Sequence, residues 1–190
     1  IFSPTDIYNL DLANKWTQFG QLELIQTQVV SSAVCDFTNL QTDKYSLHFF
    51  TFTDIRFGSQ TEFGYKLSND GGSTYETGYY FATKRVDSVN NGSNRTSTSQ
   101  NTARLFGDID TSVDSAGNGF MYLYNAGDST KYTFSQSQFA FSDNVDNGSI
   151  EYGGQMYDHT EEISAIRFGA STSMSTMTNA IISLYGIRSY

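Results

Sequence analysis

Apolar and polar residues alternate with a period of two along most of the chain, which is the pattern of strands with one buried and one solvated face. In one run, Phe63, Tyr65 and Leu67 are separated by single glycine or polar residues. Similar runs cover residues 22–24, 45–52, 63–67, 120–124, 132–141, 163–168 and 180–185. The chain is therefore predicted to consist almost entirely of β-strands.

The alternation changes phase once, in the second of these runs. Tyr45, Leu47 and Phe49 carry the apolar positions first, and Phe50 and Phe52 carry them afterwards. An extra residue in one strand produces such a slip, so the sequence predicts a β-bulge or a bend near Phe49 and Phe50.

Turn residues separate the runs. The strongest signal lies at residues 69–72, where Asp-Gly and Gly-Gly steps allow the positive φ angles of tight turns. Further turns are predicted at residues 91–92, 118–119, 127–128, 147–148 and 153–154. The polar stretch at residues 87–102 is predicted to be a long exposed loop. Short strands separated by such turns are typical of a β-sandwich or a β-barrel.

The N-terminal residues 1–16 form a separate segment in this interpretation. The only helical signal is one short turn there, capped by Thr5 or Asp6. The segment is more apolar than a solvated tail needs, so we predict that it docks on a neighbouring protein; the alternative is that it packs on its own sandwich. Residues 17–190 are predicted to form one β-sandwich domain. The predicted docking residues are Ile7, Tyr8, Leu10, Leu12 and Trp16.

Charge and composition narrow the function classes. The chain has 11 Lys and Arg against 20 Asp and Glu, a net charge of −9. Binding to a nucleic-acid backbone depends on clustered cations, so no nucleic-acid partner is expected. No run approaches the roughly 18 apolar residues of a membrane-spanning helix, so membrane insertion is not expected. Cys35 is the only cysteine, and its strand-like surroundings predict a small buried side chain.

The titratable residues do not form a catalytic constellation in the sequence. The two histidines, His48 and His159, have no nucleophile placed to pair with them. Glycoside hydrolysis needs two facing carboxylates, and adjacent Glu161 and Glu162 would point to opposite sides of an extended chain. The sequence therefore predicts that the protein is not an enzyme and needs no cofactor.

One acidic stretch, residues 108–114, has the oxygen-rich composition of a Ca²⁺ loop. It lacks the glycine at position six and the glutamate at position twelve that such a loop requires in an EF-hand. Calcium binding there is a minor alternative. With two histidines and one cysteine in the chain a zinc site is not expected, and no metal site is predicted.

Tyrosines beside glycines are the best candidates for a binding site. A tyrosine offers an apolar ring face and a polar tip, so it can stack on a sugar and hydrogen-bond to its hydroxyl groups. The alternative is that these rings lie in the core or between subunits. The candidate ligand-binding residues are Tyr79, Tyr80, Tyr152, Tyr157 and His159.

The C-terminal stretch at residues 163–168, followed by residues 180–187, resembles the ending of a β-sandwich module found in virion appendages of tailed phages, especially aquatic ones. Residues 67–75 are similar to the central hairpin of that module, and residues 131–134 to another of its strands. One departure is that Met174 and Met177 stand where a short polar, glycine-rich hairpin is expected.

The resemblance implies an antiparallel jelly-roll-like β-sandwich at the surface of a phage particle, in a tail fibre, a head fibre or a capsid decoration protein. It implies a homo-oligomer, usually a trimer, that attaches to other virion proteins and, as a further partner, to a host-surface glycan. Two other hypotheses stay open: a carbohydrate-binding lectin-like domain and a glycan-degrading enzyme. A lectin predicts exposed aromatics in a shallow groove, an enzyme predicts two carboxylates across a deep cleft, and a structural module predicts a broad oligomer interface.

Overall fold

The computed structural model describes residues 3, 5, 6, 9, 22–89, 92–109, 111, 115–143, 147–172 and 174–187. Within these residues the chain forms twelve strands. They are β1 (Leu22–Val30), β2 (Cys35–Phe37), β3 (Leu47–Arg56), β4 (Thr61–Ser68), β5 (Tyr79–Asp87), β6 (Ser93–Gln100), β7 (Ala103–Ile109), β8 (Gly117–Tyr124), β9 (Thr133–Ser142), β10 (Gly148–Tyr157), β11 (Ala165–Ala170) and β12 (Asn179–Ile187).

The strands form two antiparallel sheets. The larger sheet has eight strands in the order β1-β12-β3-β8-β9-β10-β5-β6, and the smaller has four in the order β2-β11-β4-β7. The prediction of an all-β antiparallel sandwich is confirmed. No helix in the described part of the chain has the length and apolar character needed to cross a membrane.

Phenylalanine rings fill the space between the sheets. Phe168 on β11 is fully buried, and its ring centroid lies 5.0 Å from that of Phe52 and 5.2 Å from that of Phe50, both on β3. Both contacts are edge-to-face, the arrangement that aromatic quadrupoles favour. Cys35 is also fully buried, as predicted, and burial raises the pKa of its thiol to about 12.

The bulge near Phe49 and Phe50 is not present, so that prediction was wrong. His48, Phe50 and Phe52 all point inward in unbroken alternation, and Phe49 points outward. The sequence pattern misled because β3 carries large apolar residues on both faces. The irregularity lies between Phe52 and Ile55.

Three further predictions about loops and turns were wrong. Asn118 and Gly119, predicted to form a turn, lie inside β8. Within the stretch at residues 87–102, β6 is an edge strand whose two faces are both largely polar, so it shows no alternation. Gly153 and Gly154 lie inside β10 and do not form a turn. A Cβ at Gly153 would stand 2.2 Å from the carbonyl oxygen of Ala82, so glycine allows β10 and β5 to approach there.

At the N-terminus, Thr5, Asp6 and Asn9 are helical. Ser3 Oγ accepts a hydrogen bond from the Asp6 backbone N–H at 3.2 Å, so Ser3 caps this turn in place of Thr5 or Asp6. The predicted docking residues lie outside the described residues: Ile7, Tyr8, Leu10, Leu12 and Trp16.

His48 gives the fold a predicted pH dependence. The ring is fully buried, its Nε2 lies 2.7 Å from the carbonyl oxygen of Leu40, and burial lowers its pKa from 6.5. The unfolded chain therefore binds more protons in acid, and the contribution of neutral His48 is lost as the pH falls below about 6.5. Urea midpoints at pH 8 and pH 5 should differ more for the wild type than for His48→Gln. Equal differences in the two proteins would contradict this role.

Candidate functional site

The outer face of the eight-stranded sheet carries the candidate site. The register places outward side chains in rows that cross the strands. The first row is Leu22, Ile187, Leu47, Tyr124, Phe134, Met156 and Tyr80. The second row is Leu24, Tyr185, Phe49, Tyr122, Gln136, Gly154, Ala82 and Thr96. The third row is Thr27, Ser183, Thr51, Phe120, Gln138, Tyr152, Lys84 and Asn94.

Lys84 is the single charged residue in these three rows. This depletion is notable in a chain with 31 charged residues, the sum of 11 basic and 20 acidic side chains. Depletion of charge together with enrichment in aromatic residues and Met marks the centres of protein interfaces and binding surfaces. The outer face therefore has the residue composition of a binding surface.

Aromatic rings pack against one another on this face. The Phe49 ring centroid lies 4.7 Å from that of Tyr122 and 6.1 Å from that of Tyr185. Phe120 extends the group, with its centroid 6.0 Å from that of Tyr122. Because cross-strand pairs hold each ring, the cluster is ordered before any partner binds.

A shallow groove opens where the second row has its smallest side chains. Gly154 lies between Ala82 on β5 and Gln136 on β9, so the floor is low there. One part of the groove has a volume of about 730 Å³ and runs along Phe134 and Met156. A second part, about 420 Å³, meets it at Gly154 and runs along Tyr152. We call these two parts together the Gly154 groove.

The tyrosines predicted from the sequence divide between the two faces of the sheet. Tyr80 and Tyr152 point outward and line the Gly154 groove. Tyr79 and Tyr157 are buried between the sheets, so their assignment to a surface site is corrected. Successive residues of a strand point to opposite faces, and Tyr79 precedes Tyr80 directly on β5.

His159 lies away from the groove, in the loop after β10. Its ring stacks on Tyr157 with a centroid distance of 5.1 Å, and its Nδ1 lies 2.9 Å from Asp158 Oδ1. Asp158 also raises the pKa of the Tyr80 hydroxyl, so this loop reaches Tyr80 at one end of the groove, but His159 itself lines neither part of the groove.

Inward side chains of β10 hold this strand on the smaller sheet. Glu151 is fully buried; its Oε2 accepts hydrogen bonds from Arg104 Nη2 at 3.3 Å and from the Gly107 N–H at 3.1 Å. Gln155 Nε2 donates to the carbonyl oxygen of Arg104 at 3.0 Å. The outward residues of the same strand, Tyr152, Gly154 and Met156, are positioned by these contacts.

The buried carboxylates are engaged in ion pairs. Arg104 Nη1 also donates to Glu62 Oε1 at 2.6 Å, so one guanidinium bridges Glu62 and Glu151. A general acid and a general base must instead flank a space that admits a sugar and water. This arrangement explains the two glutamates as structural anchors.

The acidic stretch at residues 108–114 is described only in part. Asp108 Oδ2 accepts hydrogen bonds from Arg85 at 3.0 Å and from Arg95 at 2.9 Å. Asp110 and Asp114 lie outside the described residues, so calcium binding stays a prediction. Among the residues that the structure describes, no three His, Cys, Asp or Glu side chains are grouped to hold a metal ion.

No protein-family model, curated protein or solved structure matches this chain.

Most residues of the groove were missed by sequence reasoning, among them Phe134, Met156, Gln136 and Gly154. Gly154 was interpreted as part of a turn, and Phe134 as an ordinary strand residue. The alternation of β9 could have found two of them. Phe134 and Gln136 occupy even positions and therefore lie on the side of the strand opposite the buried residues Phe139 and Phe141. Pairing of β9 with β10 then places them beside Met156 and Gly154.

Glu151 is predicted to be a main anchor of the groove strand. Glu151→Ala removes one partner of a buried ion pair and leaves Arg104 partly unpaired, a change that typically costs about 3–5 kcal/mol. Equilibrium urea unfolding measures this loss of stability. Glu162→Ala is the control, because Glu162 is exposed and its loss should cost less than about 1 kcal/mol. Equal effects of the two substitutions would contradict the anchoring role.

Proposed function

We propose that this chain is a non-enzymatic structural module of a tailed-phage particle, in a fibre or a capsid decoration protein, that mediates attachment. The observation that carries the proposal is the charge-depleted, apolar outer face of the eight-stranded sheet. A face of eight strands about 4.8 Å apart and about eight residues long covers on the order of 900 Å². A standard protein interface takes about 800 Å² from each partner, so the whole face has the area of one standard interface, and each half of it has the area of a small one.

The strand order supports the jelly-roll-like part of this proposal. Leaving out β5, β6, β9 and β10, eight strands remain in two sheets of four, β1-β12-β3-β8 and β2-β11-β4-β7. Numbered again along the chain, these orders are 1-8-3-6 and 2-7-4-5, in which the first and last strands are neighbours. Such an order fits two Greek keys folded together, as in the jelly rolls of viral capsid proteins. The four remaining strands are then two hairpins that widen one sheet.

Assembly is proposed to use the aliphatic end of the outer face. Leu22, Leu24 and Val29 project from β1, and their exposed fractions are 51%, 59% and 74%. β1 is also an edge strand of nine residues, and on one side its backbone groups are paired by no strand in the described part of the chain. Long apolar edge strands tend to pair with another chain.

The occupant of the aliphatic end is proposed to be a second copy of this chain. Copies that each carry a net charge of −9 repel one another, so they can approach closely only through a surface free of acidic groups. The outer rows provide such a surface. A closed ring of three copies is the form expected for a fibre or a decoration protein.

Light scattering of the purified chain tests the assembly. A mass near three times 21.2 kDa is expected for the wild type. Val29→Lys should shift the mass toward one chain, because it places a charge in the interface while Val29 is too exposed to matter for folding. Asn94→Lys is the matched control, since it adds the same charge to the exposed edge strand β6 and should leave the oligomer intact. A monomeric wild type would contradict the self-assembling form of the proposal.

A lectin-like role is the second candidate. The specific observation in its favour is the Gly154 groove, which places exposed aromatic rings beside amide side chains in a shallow depression.

A further inference from the structure

We infer that the Gly154 groove binds a neutral glycan chain, with Tyr152 and Phe134 as stacking platforms at its two ends. The inference rests on the proposed attachment role and names the ligand class of one part of the outer face. It assigns assembly to the aliphatic end and glycan binding to the end formed by β9, β10, β5 and β6.

The two platforms are exposed enough to receive a sugar. Tyr152 is 45% exposed and Phe134 is 42% exposed, and both project from the middle of the sheet. The register pairs Tyr152 with Gln138, four residues along β9 from Phe134. At about 3.4 Å per residue the two rings stand about 14 Å apart along the strands, which is the length of a short oligosaccharide.

The floor between the platforms admits a ligand close to the backbone. Gly154 has no side chain, and its neighbour across the strand pair is Ala82. A Cβ built at Gly154 would have Ser135 O, at 3.5 Å, as its nearest neighbour, so a side chain would fit. Glycine is therefore not required there for packing, and its effect is to keep the groove open.

The polar groups around the floor suit sugar hydroxyls. Gln136 and Gln138 carry amides that both donate and accept, and Thr96 and Thr98 add hydroxyls from β6. These polar side chains alternate with aromatic rings. A sugar presents CH groups on the faces of its ring and hydroxyl groups around its edge, so it can stack on an aromatic ring and hydrogen-bond to the polar side chains beside it. A protein partner would be better served by a more aliphatic surface, such as the leucines and the valine exposed on β1.

The charge of the groove selects a neutral chain. Lys84 stands at the border of the groove, and no acidic side chain lines either of its two parts. An anionic polysaccharide would find too few cations in a chain with net charge −9, and a cationic one would find no carboxylate in the groove. The volume of about 730 Å³ lies in the range of ordinary ligand sites.

Isothermal titration with linear neutral hexasaccharides of glucose, mannose, galactose and N-acetylglucosamine tests the inference. At least one should bind the wild-type chain, and Tyr152→Ala should weaken that binding by about ten-fold or more, since one stacked ring typically contributes about 1–3 kcal/mol. Failure of all four to bind would overturn the inference.

Gly154→Val is the sharper variant, because it fills the floor, its Cβ has no neighbour closer than 3.5 Å, and β-branched residues suit strands. It should abolish binding while leaving the unfolding midpoint unchanged or higher. Gly148→Val is the matched control on the outer side of the same strand, where a Cβ meets nothing within 4 Å. Equal binding by both variants would show that the sugar sits elsewhere and would overturn the assignment.

The test separates this inference from the proposed assembly. Light scattering on Gly154→Val should give the wild-type mass, because the groove lies outside the aliphatic end. If Gly154→Val loses the oligomer, the groove is covered by a second copy and the glycan assignment fails while assembly stands. If the wild type is a monomer that still binds the hexasaccharide, assembly fails and the glycan site stands.

Discussion

The outer face depends on a buried interaction beneath it, the contact of Glu151 and Gln155 with β7. An eight-stranded sheet cannot be covered by a four-stranded one, so the strands beyond β8 need other contacts on their inner side. The Glu151 carboxylate accepts hydrogen bonds from the Arg104 guanidinium and from the Gly107 N–H, and the Gln155 side chain donates one to the Arg104 carbonyl oxygen. Removing one partner of such a buried ion pair lowers the stability of the fold by far more than the intact pair contributes to it. The network therefore fixes the position of β10. Because side chains alternate along a strand, fixing Glu151 and Gln155 also fixes the side chains that point out between and beyond them.

In the proposed function, this arrangement separates two tasks within one sheet. The strands that match a jelly-roll order carry most of the phenylalanine core between the sheets. On the outer face, β3, β8 and β12 carry the aromatic cluster of Phe49, Tyr122 and Tyr185, and β1 ends the sheet with exposed leucines and a valine. The two added hairpins carry the polar anchors Glu151 and Gln155 beside buried rings such as Phe139 and Tyr79 on the inside, and the Gly154 groove on the outside. A binding site grafted onto strands added to a common framework is how one fold supports many functions. In the proposed appendage, the framework assembles and the added strands meet the ligand.

The Asp-Gly and Gly-Gly steps predicted the turn at residues 69–72, where Gly71 and Gly72 have positive φ, and alternation predicted the strands of the β-sandwich. It could not assign faces where both sides of a strand are apolar, and so Phe49 was placed with the core and Tyr79 with the surface. β6 was missed because an edge strand that faces solvent on both sides shows no period. Gly153 and Gly154 were predicted to form a turn because glycine is common in tight turns. Glycine is also common where two strands approach closely, and the sequence does not distinguish the two cases. The Arg104 and Glu151 contact joins residues 47 positions apart, and only the fold brings them together.

The central claim is that the outer face is an attachment surface divided between assembly and ligand. Hydroxyl-radical footprinting read by mass spectrometry tests this division directly, because Leu24, Val29, Tyr152 and Met156 all react when exposed. The account predicts that assembly protects Leu24 and Val29 alone, and that Tyr152 and Met156 become protected only when a neutral hexasaccharide is added. Protection of Tyr152 and Met156 by assembly itself, or full reactivity of all four residues under every condition, would contradict it.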